Sequence, residues 1–253
     1  LKNRLPGRFF FFVRRLPFAL YFSQDTNKNG VEMVHVMSFQ LAIFFKQHIT
    51  RPDHFFSSIN DAAGNLFDRM PQIIPLPDEV PPEIPRVAAT NMSGTYNFNI
   101  SLNRLDFTLN VSDSQFKEPE ALSDFALKSK LIVKNIPNEI EIIRIGIIGN
   151  YFELERLPAI ALAKKYSKKD LGNISEFNFR YNKISQEFGY SFNNVFSISN
   201  AEINTKGIVS DGIFIQKDIN NNPSGLSIKK DMVMEIITKK IKELSTSGLE
   251  GIS

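Results

Sequence analysis

The most constraining feature of this sequence is the order in which two hydrophobic periodicities follow each other. Between residues 37 and 152, segments with an apolar residue at every second position alternate with segments whose apolar residues recur every three to four positions. The first spacing is that of a half-buried β-strand, and the second is that of an amphipathic helix. The predicted order is strand, helix, strand, strand, helix, strand, which is the order of a ferredoxin-like split βαβ unit.

Individual segments in this half are well marked. The first strand is predicted over 37–46, a helix over 53–70, a hairpin over 96–100 and 105–111, a second helix over 118–134 and a long strand over 139–152. Phe67 lies on the apolar stripe of the first helix, so we expect it in the core. Residues 71–85 contain six of the thirteen prolines, which favours an extended connection because proline has no backbone N–H to donate.

The second half repeats the same kinds of pattern. Pro158 opens a helix predicted to run to about residue 170, strands follow over 175–185, 188–198 and 212–217, and a last helix starts near residue 227. The predicted fold class is α+β, with antiparallel sheet covered by helices and a ferredoxin-like order in the first half. We expect residues 37–155 to form that half and residues 156–253 to form a second α+β half packed on it.

The basic charge is concentrated at the start of the chain. The formal net charge is +3, residues 1–30 alone carry +5, and the other 223 residues carry −2. A generally cationic surface for nucleic acid is therefore not indicated. We expect residues 1–36 to be an N-terminal extension that is disordered or does not belong to the native chain, because Met33 and Met37 are both suitable starts. A basic membrane-surface or targeting segment and an ordinary part of the fold are the alternatives for this stretch.

Catalytic and metal-binding patterns are weak in this sequence. The chain has no cysteine, which excludes disulfides, thiolate metal sites and a cysteine nucleophile. Its histidines, His35, His48 and His54, do not have the spacing of a helical metal pair. Two pairs of glutamates could hold a divalent cation, one at 139 and 141 and the other at 153 and 155. Such pairs are more typical of the solvent-exposed face of a strand. The glycines at 146 and 149 lie within an apolar run without a following helix, so no nucleotide-binding loop is predicted.

One candidate nucleic-acid site emerges from charge and aromatic spacing. Its residues are Lys164, Lys165, Lys168, Lys169, Arg180 and Lys183. Phe177, Phe179 and Tyr181 alternate beside them and could stack on bases. The same alternation is typical of any strand that faces a core, and the lysines also suit the C-terminal end of a helix dipole.

Three segments resemble a sporadically distributed family of uncharacterised bacterial proteins. They are the proline-rich PLPDEVPPEIPR at 75–86, the strands TYNFNISLNRLDFTLN at 95–110, and IFIQKDINNNP at 213–223. The resemblance covers roughly residues 37–244. It implies a bacterial, cytoplasmic protein in a mobile-element or defence setting, and it carries over no catalytic residues.

The function predicted from these observations is that of a non-enzymatic cytoplasmic binding or regulatory protein. It is expected to act through contacts with an unidentified protein partner, without a cofactor, a bound metal or a transmembrane segment. A nucleic-acid-binding or RNA-processing protein is the first alternative, with His35 or His48 and a nearby lysine as its acid–base pair. A metal-dependent hydrolase that uses the paired glutamates is the second.

Overall fold

The computed structural model of the protein describes residues 34–77, 79–112, 114–205 and 208–249. The strands of this part of the chain are β1 (His35–Phe45), β2 (Gln72–Ile73), β3 (Val87–Thr90), β4 (Tyr96–Ile100), β5 (Arg104–Asn110), β6 (Ile142–Leu154), β7 (Asn178–Glu187), β8 (Tyr190–Thr205) and β9 (Ile208–Asn221). Its helices are α1 (Pro52–Ala62), α2 (Glu118–Lys134), α3 (Pro158–Tyr166) and α4 (Lys230–Lys240), and 3₁₀ turns follow at Ile241–Leu244 and Thr246–Gly248. Of the predicted N-terminal extension, residues 1–33 lie outside the described residues.

All of these strands belong to one antiparallel sheet. Its order is β2-β3-β4-β5-β1-β6-β9-β8-β7. β6 pairs with β1 along one edge and with β9 along the other, from Gly146 opposite Asn220 to Leu154 opposite Gly212. Strands from both predicted halves are therefore hydrogen-bonded into a continuous sheet, while a domain boundary near residue 155 stays a prediction.

The predicted fold class, helix-covered α+β with a ferredoxin-like first half, is wrong. The described residues form a single nine-stranded antiparallel sheet with only four α-helices, of 9 to 17 residues. The main cause is the β8–β9 hairpin, whose strands are 16 and 14 residues long. Because β9 also pairs with β6, the sheet widens to nine strands. Four short helices are too few to cover a sheet of that width.

The core lies between one face of the sheet and the helices. Phe39 of β1 and Phe107 of β5 are fully buried and meet Phe125 of α2, with ring centroids 5.7 Å apart in both pairs. α4 contributes Val233 and Ile236 to the same cluster. We call this side of the sheet the helix face and the other side the polar face. No helix among the described residues is long and apolar enough to cross a membrane.

The first helix ends earlier than the apolar spacing predicts. α1 stops at Ala62, and Gly64 and Asn65 follow with φ angles of 71° and 58°. This left-handed backbone breaks the helix. Phe67 is nevertheless 2% exposed, which confirms its predicted place in the core. The Asn60 side chain holds it there, since its amide donates to the Phe67 carbonyl and its oxygen accepts the Phe67 N–H at 3.2 and 3.0 Å.

Candidate docking site at the β7 edge

β7 is a long strand at one edge of the sheet. It has ten residues, whereas β2 at the other edge has two. Its one neighbour in the described sheet, β8, pairs with it along its whole length, from Asn178 opposite Ser199 to Glu187 opposite Tyr190. β7 is therefore the longest run of edge backbone that this sheet offers to another chain.

The backbone groups that face away from β8 can be assigned from one hydrogen bond. The N–H of Asn200 donates to the carbonyl of Phe177 at 3.3 Å, one residue before β7 begins. Hydrogen-bonded and non-hydrogen-bonded pairs alternate along an antiparallel ladder, so odd-numbered residues of β7 turn their N–H and C=O groups towards β8. Even-numbered residues turn these groups outward. We call them the outward set: Asn178, Arg180, Asn182, Ile184 and Gln186.

Side chains alternate in the same way. The outward set projects onto the polar face, where Ile184 is 67% exposed. The odd-numbered residues project onto the helix face, where Tyr181 stacks on Phe196 of β8 with ring centroids 5.3 Å apart. A strand that pairs with β7 would thus place its side chains alternately on the polar face and on the helix face.

A tight turn holds β7 rigidly against β8. Phe188 and Gly189 form its two central residues and have φ angles of 54° and 79°, which is the pattern of a two-residue hairpin turn. A positive φ is unfavourable for phenylalanine. Its ring packs on Phe192 at 6.0 Å, and the Nζ of Lys239 lies 4.7 Å from the ring centroid. These contacts with β8 and α4 keep Phe188 in this conformation.

A groove of about 390 Å³ runs along the helix face beside β7. The residues that line it are mostly charged or aromatic: Tyr181, Lys183, Ile184, Ser185, Glu187, Asn194, Val195, Phe196, Lys217, Lys240 and Glu243. Lys217 donates from Nζ to the backbone carbonyl of Glu243 at 2.7 Å. The groove therefore has a polar floor in which β9 is joined to the 3₁₀ turn that follows α4.

Lys240 is the best-buried charge of this groove. Its side chain is 2% exposed, and Nζ donates to Glu187 at 2.6 Å and to Glu243 at 2.9 Å. Burial by itself lowers the pKa of Lys240, but the hydrogen bonds and the negative charges of the two carboxylates together outweigh burial and raise the pKa above its usual value. The hydrogen bond that Lys240 donates to Glu187 has the opposite effect on its acceptor and lowers the pKa of Glu187. The pair ties α4 to the last residue of β7.

The predicted nucleic-acid residues do not share one surface. Lys164 and Lys165 lie in the last turn of α3, and Lys168 and Lys169 follow it. All four are exposed, and they form no ion pair within the described residues. Lys183 projects onto the helix face of β7, whereas Arg180 projects onto the polar face, because residues three apart on a strand point to opposite sides.

The aromatic residues beside these lysines are used inside the protein. Phe179 stacks on Tyr166 of α3 with centroids 4.8 Å apart, and Phe177 stacks on the same ring at 6.4 Å. Tyr181 is covered by Phe196. The stacking of Phe177 and Phe179 on Tyr166 thus packs α3 against the sheet.

The remaining candidates from the sequence are dispersed. His35 is the first residue of β1, and His48 lies three residues beyond its last residue, Phe45, so the length of a strand of roughly 33 Å separates them. Glu141 pairs with Lys46 at 3.1 Å, and Glu155 accepts the N–H of Leu157. Among the described residues, no group of three or more His, Asp or Glu side chains could hold a metal ion.

Sequence analysis did not identify a cation cluster on the polar face. The guanidinium carbons of Arg104 and Arg144 lie 4.8 and 5.1 Å from the ring centroid of Phe44. Arg104 pairs with Asp106 at 2.7 Å, and Arg144 donates to Asn220 at 3.0 Å. These residues come from β1, β5, β6 and β9, so only the order of the strands brings them together.

No protein-family model matches the chain, and a search of curated protein sequences finds no match. The resemblance to a sporadically distributed bacterial family therefore stays a prediction.

Proposed function

We propose that the protein is a non-enzymatic cytoplasmic binding protein that acts through contacts with other proteins, and that β7 receives them. The mode of binding is strand addition, in which an extended segment of the partner pairs with the edge of a sheet. The observation that carries this proposal is the outward set, whose backbone groups have no partner within the described residues. The bacterial mobile-element or defence setting implied by the family resemblance belongs to the same proposal.

Rigidity of the edge supports this mode. β7 is held by its full ladder with β8, by the tight turn at Phe188 and by the tie between Glu187 and Lys240. A partner strand therefore meets a preformed template, which reduces the entropy lost on binding. Alternate side chains of the partner would lie over the groove and over Ile184.

The proposal is tested with a synthetic strand. A fluorescein-labelled eight-residue peptide of alternating threonine and valine is titrated into the full chain and followed by fluorescence anisotropy. A matched peptide with two N-methylated amides serves as the first control. Each lost hydrogen bond contributes about 0.5–1.5 kcal/mol, so the methylated peptide, which lacks two of them, is expected to bind roughly 5- to 150-fold more weakly.

Variants of Ile184 locate the binding. Ile184→Pro removes an outward N–H without breaking the ladder with β8, and it is expected to weaken peptide binding roughly 2- to 12-fold. Ile184→Ala keeps that N–H and should retain binding. Equal affinity of both variants, or no difference between the two peptides, would overturn strand addition at β7.

Nucleic-acid binding is the second candidate function. The observation that favours it is the cluster of four exposed lysines at the end of α3. Two observations make it less favoured than protein binding. Arg180 and Lys183 project onto opposite faces of the sheet, and the neighbouring aromatic rings stack inside the protein.

A further inference from the structure

We infer that the partner of β7 is a second copy of this chain, paired antiparallel about a two-fold axis at Asn182. This inference rests on the proposed function, since it names the occupant of the same edge. A two-fold axis is the commonest symmetry of protein assemblies, and it requires one patch that is complementary to itself. The side chains of β7 that face each other across the axis must therefore be compatible with one another.

Antiparallel geometry leaves few registers to consider. Residues of the outward set must face outward-set residues of the second copy, because only these have available backbone groups. The axis therefore passes through a residue, either one of the outward set or an odd-numbered one. Asn182, Tyr181 and Lys183 are the three positions near the middle of β7.

Overlap and charge select Asn182. An axis at Lys183 would place two ammonium groups directly opposite each other, which is unfavourable. An axis at Tyr181 would pair only residues 178–184 within the strand. An axis at Asn182 pairs residues 178–186 and forms roughly ten hydrogen bonds between the copies.

The opposed side chains in this register are complementary. Lys183 faces Tyr181 of the second copy on the helix face, which places a cation beside an aromatic ring. Lys183 already lies 5.4 Å from the ring centroid of Tyr181 in its own chain. On the polar face Arg180 meets Ile184, and the aliphatic stem of the arginine covers a side chain that is 67% exposed in the single chain.

The absence of cysteine from the chain makes the register directly measurable. Opposed residues of a hydrogen-bonded pair have Cα atoms about 5.5 Å apart, which lies within the range of about 4.4–6.8 Å for a disulfide. Asn182→Cys is therefore expected to form a disulfide-linked dimer under mild oxidation. Arg180→Cys alone should not, since the two copies of residue 180 are about 13 Å apart along the strand. A mixture of Arg180→Cys and Ile184→Cys chains should cross-link.

The dimer itself is measured by sedimentation velocity of the full chain over a concentration series. Asn182→Pro removes both hydrogen bonds that the two copies of residue 182 exchange across the axis, and it is expected to weaken the dimer roughly 5- to 150-fold, while Asn182→Ala keeps the dimer. Circular dichroism checks that both variants are folded.

The outcomes separate this inference from the proposed function. A chain that stays monomeric, or a dimer unaffected by Asn182→Pro, overturns the inference, even if the synthetic peptide still binds and loses affinity in Ile184→Pro. Absence of the Asn182→Cys disulfide in a chain that dimerises overturns the register. Loss of peptide binding as well overturns both proposals.

Discussion

At the scale of single residues, the two glycines of β6 have different roles. A Cβ atom at Gly149 would overlap the hydroxyl and ring of Tyr151, which crosses directly above it. Tyr151 is fully buried, and its hydroxyl donates to the carbonyl of Leu244 at 2.5 Å. At Gly146 the nearest atom to such a Cβ would be that of Ala42, at 3.7 Å. Gly149 therefore makes room for a buried side chain, whereas Gly146 has ordinary space around it.

Alanine substitutions should separate these roles. Gly149→Ala is expected to lower the free energy of unfolding by about 1–3 kcal/mol, because the added methyl group displaces Tyr151. Gly146→Ala is the control and should change it by less than about 1 kcal/mol. Chemical denaturation of both variants provides the measurement, and equal losses would show that Tyr151 does not set the cost.

At the scale of elements, α4 and β7 are joined by a buried cation rather than by apolar packing alone. Lys240 reaches the carboxylate of Glu187 at the end of β7 and that of Glu243 in the following 3₁₀ turn. The pKa of Glu187 is lowered by this contact, so its ionised form stabilises the fold. That stabilisation is present above the usual pKa of glutamate and is lost as the pH falls through the lowered pKa.

Glu187→Gln should make this dependence visible. At pH 7 the substitution is expected to lower the free energy of unfolding by about 1 kcal/mol, a modest value because the Glu187 side chain is 39% exposed. The difference from the unmodified chain should shrink as the pH falls below about 4. Thermal unfolding between pH 3 and pH 7 measures it.

Glu235→Gln is the matched control for this prediction. Glu235 lies on α4 and pairs with Lys239 at 3.2 Å, with both side chains more than half exposed. Its removal should cost no more than about 0.5 kcal/mol. A loss at Glu187 that is independent of pH would contradict an ionic role for the tie.

At the scale of the whole molecule, the positive charge does not gather on one surface. Residues 31–253 carry a net charge of −2, and the exposed lysines after α3 are separated from Arg180 by the thickness of the sheet. Binding to nucleic acid through counterion release needs several cations along one path. This distribution favours the protein-binding proposal.

The Lys165→Glu, Lys169→Glu double variant tests this distribution. Both the unmodified chain and the variant are expected to bind a single-stranded 12-nucleotide RNA only in the non-specific range of about 10⁻⁴–10⁻⁶ M at physiological salt. Lys229→Glu, Lys242→Glu has the same change in charge at exposed positions elsewhere. Sub-micromolar affinity that only the first double variant abolishes would favour the nucleic-acid candidate.

Local patterns predicted several elements well. The helix predicted over 118–134 coincides with α2, and the predicted hairpin is formed by β4 and β5, with Phe98 opposite Phe107. These elements depend on spacing, capping residues and short turns, which all lie within a few residues of one another. The helix predicted to residue 70 failed because Gly64 and Asn65 adopt a left-handed backbone that apolar spacing does not report.

The sequence by itself thus predicted α2, the hairpin of β4 and β5, the starts of α1 and α3 and the apolar faces of these elements. It did not predict β2, β3 or the full lengths of β8 and β9. Only the tertiary structure decided that β9 pairs with β6, that all strands form one sheet, and that β7 is left at its edge. Strand pairing depends on contacts between residues far apart in the chain, and many orders satisfy the same apolar alternation. The candidate docking site exists because of that order, so the residues of β7 could be predicted as a strand but not as an edge.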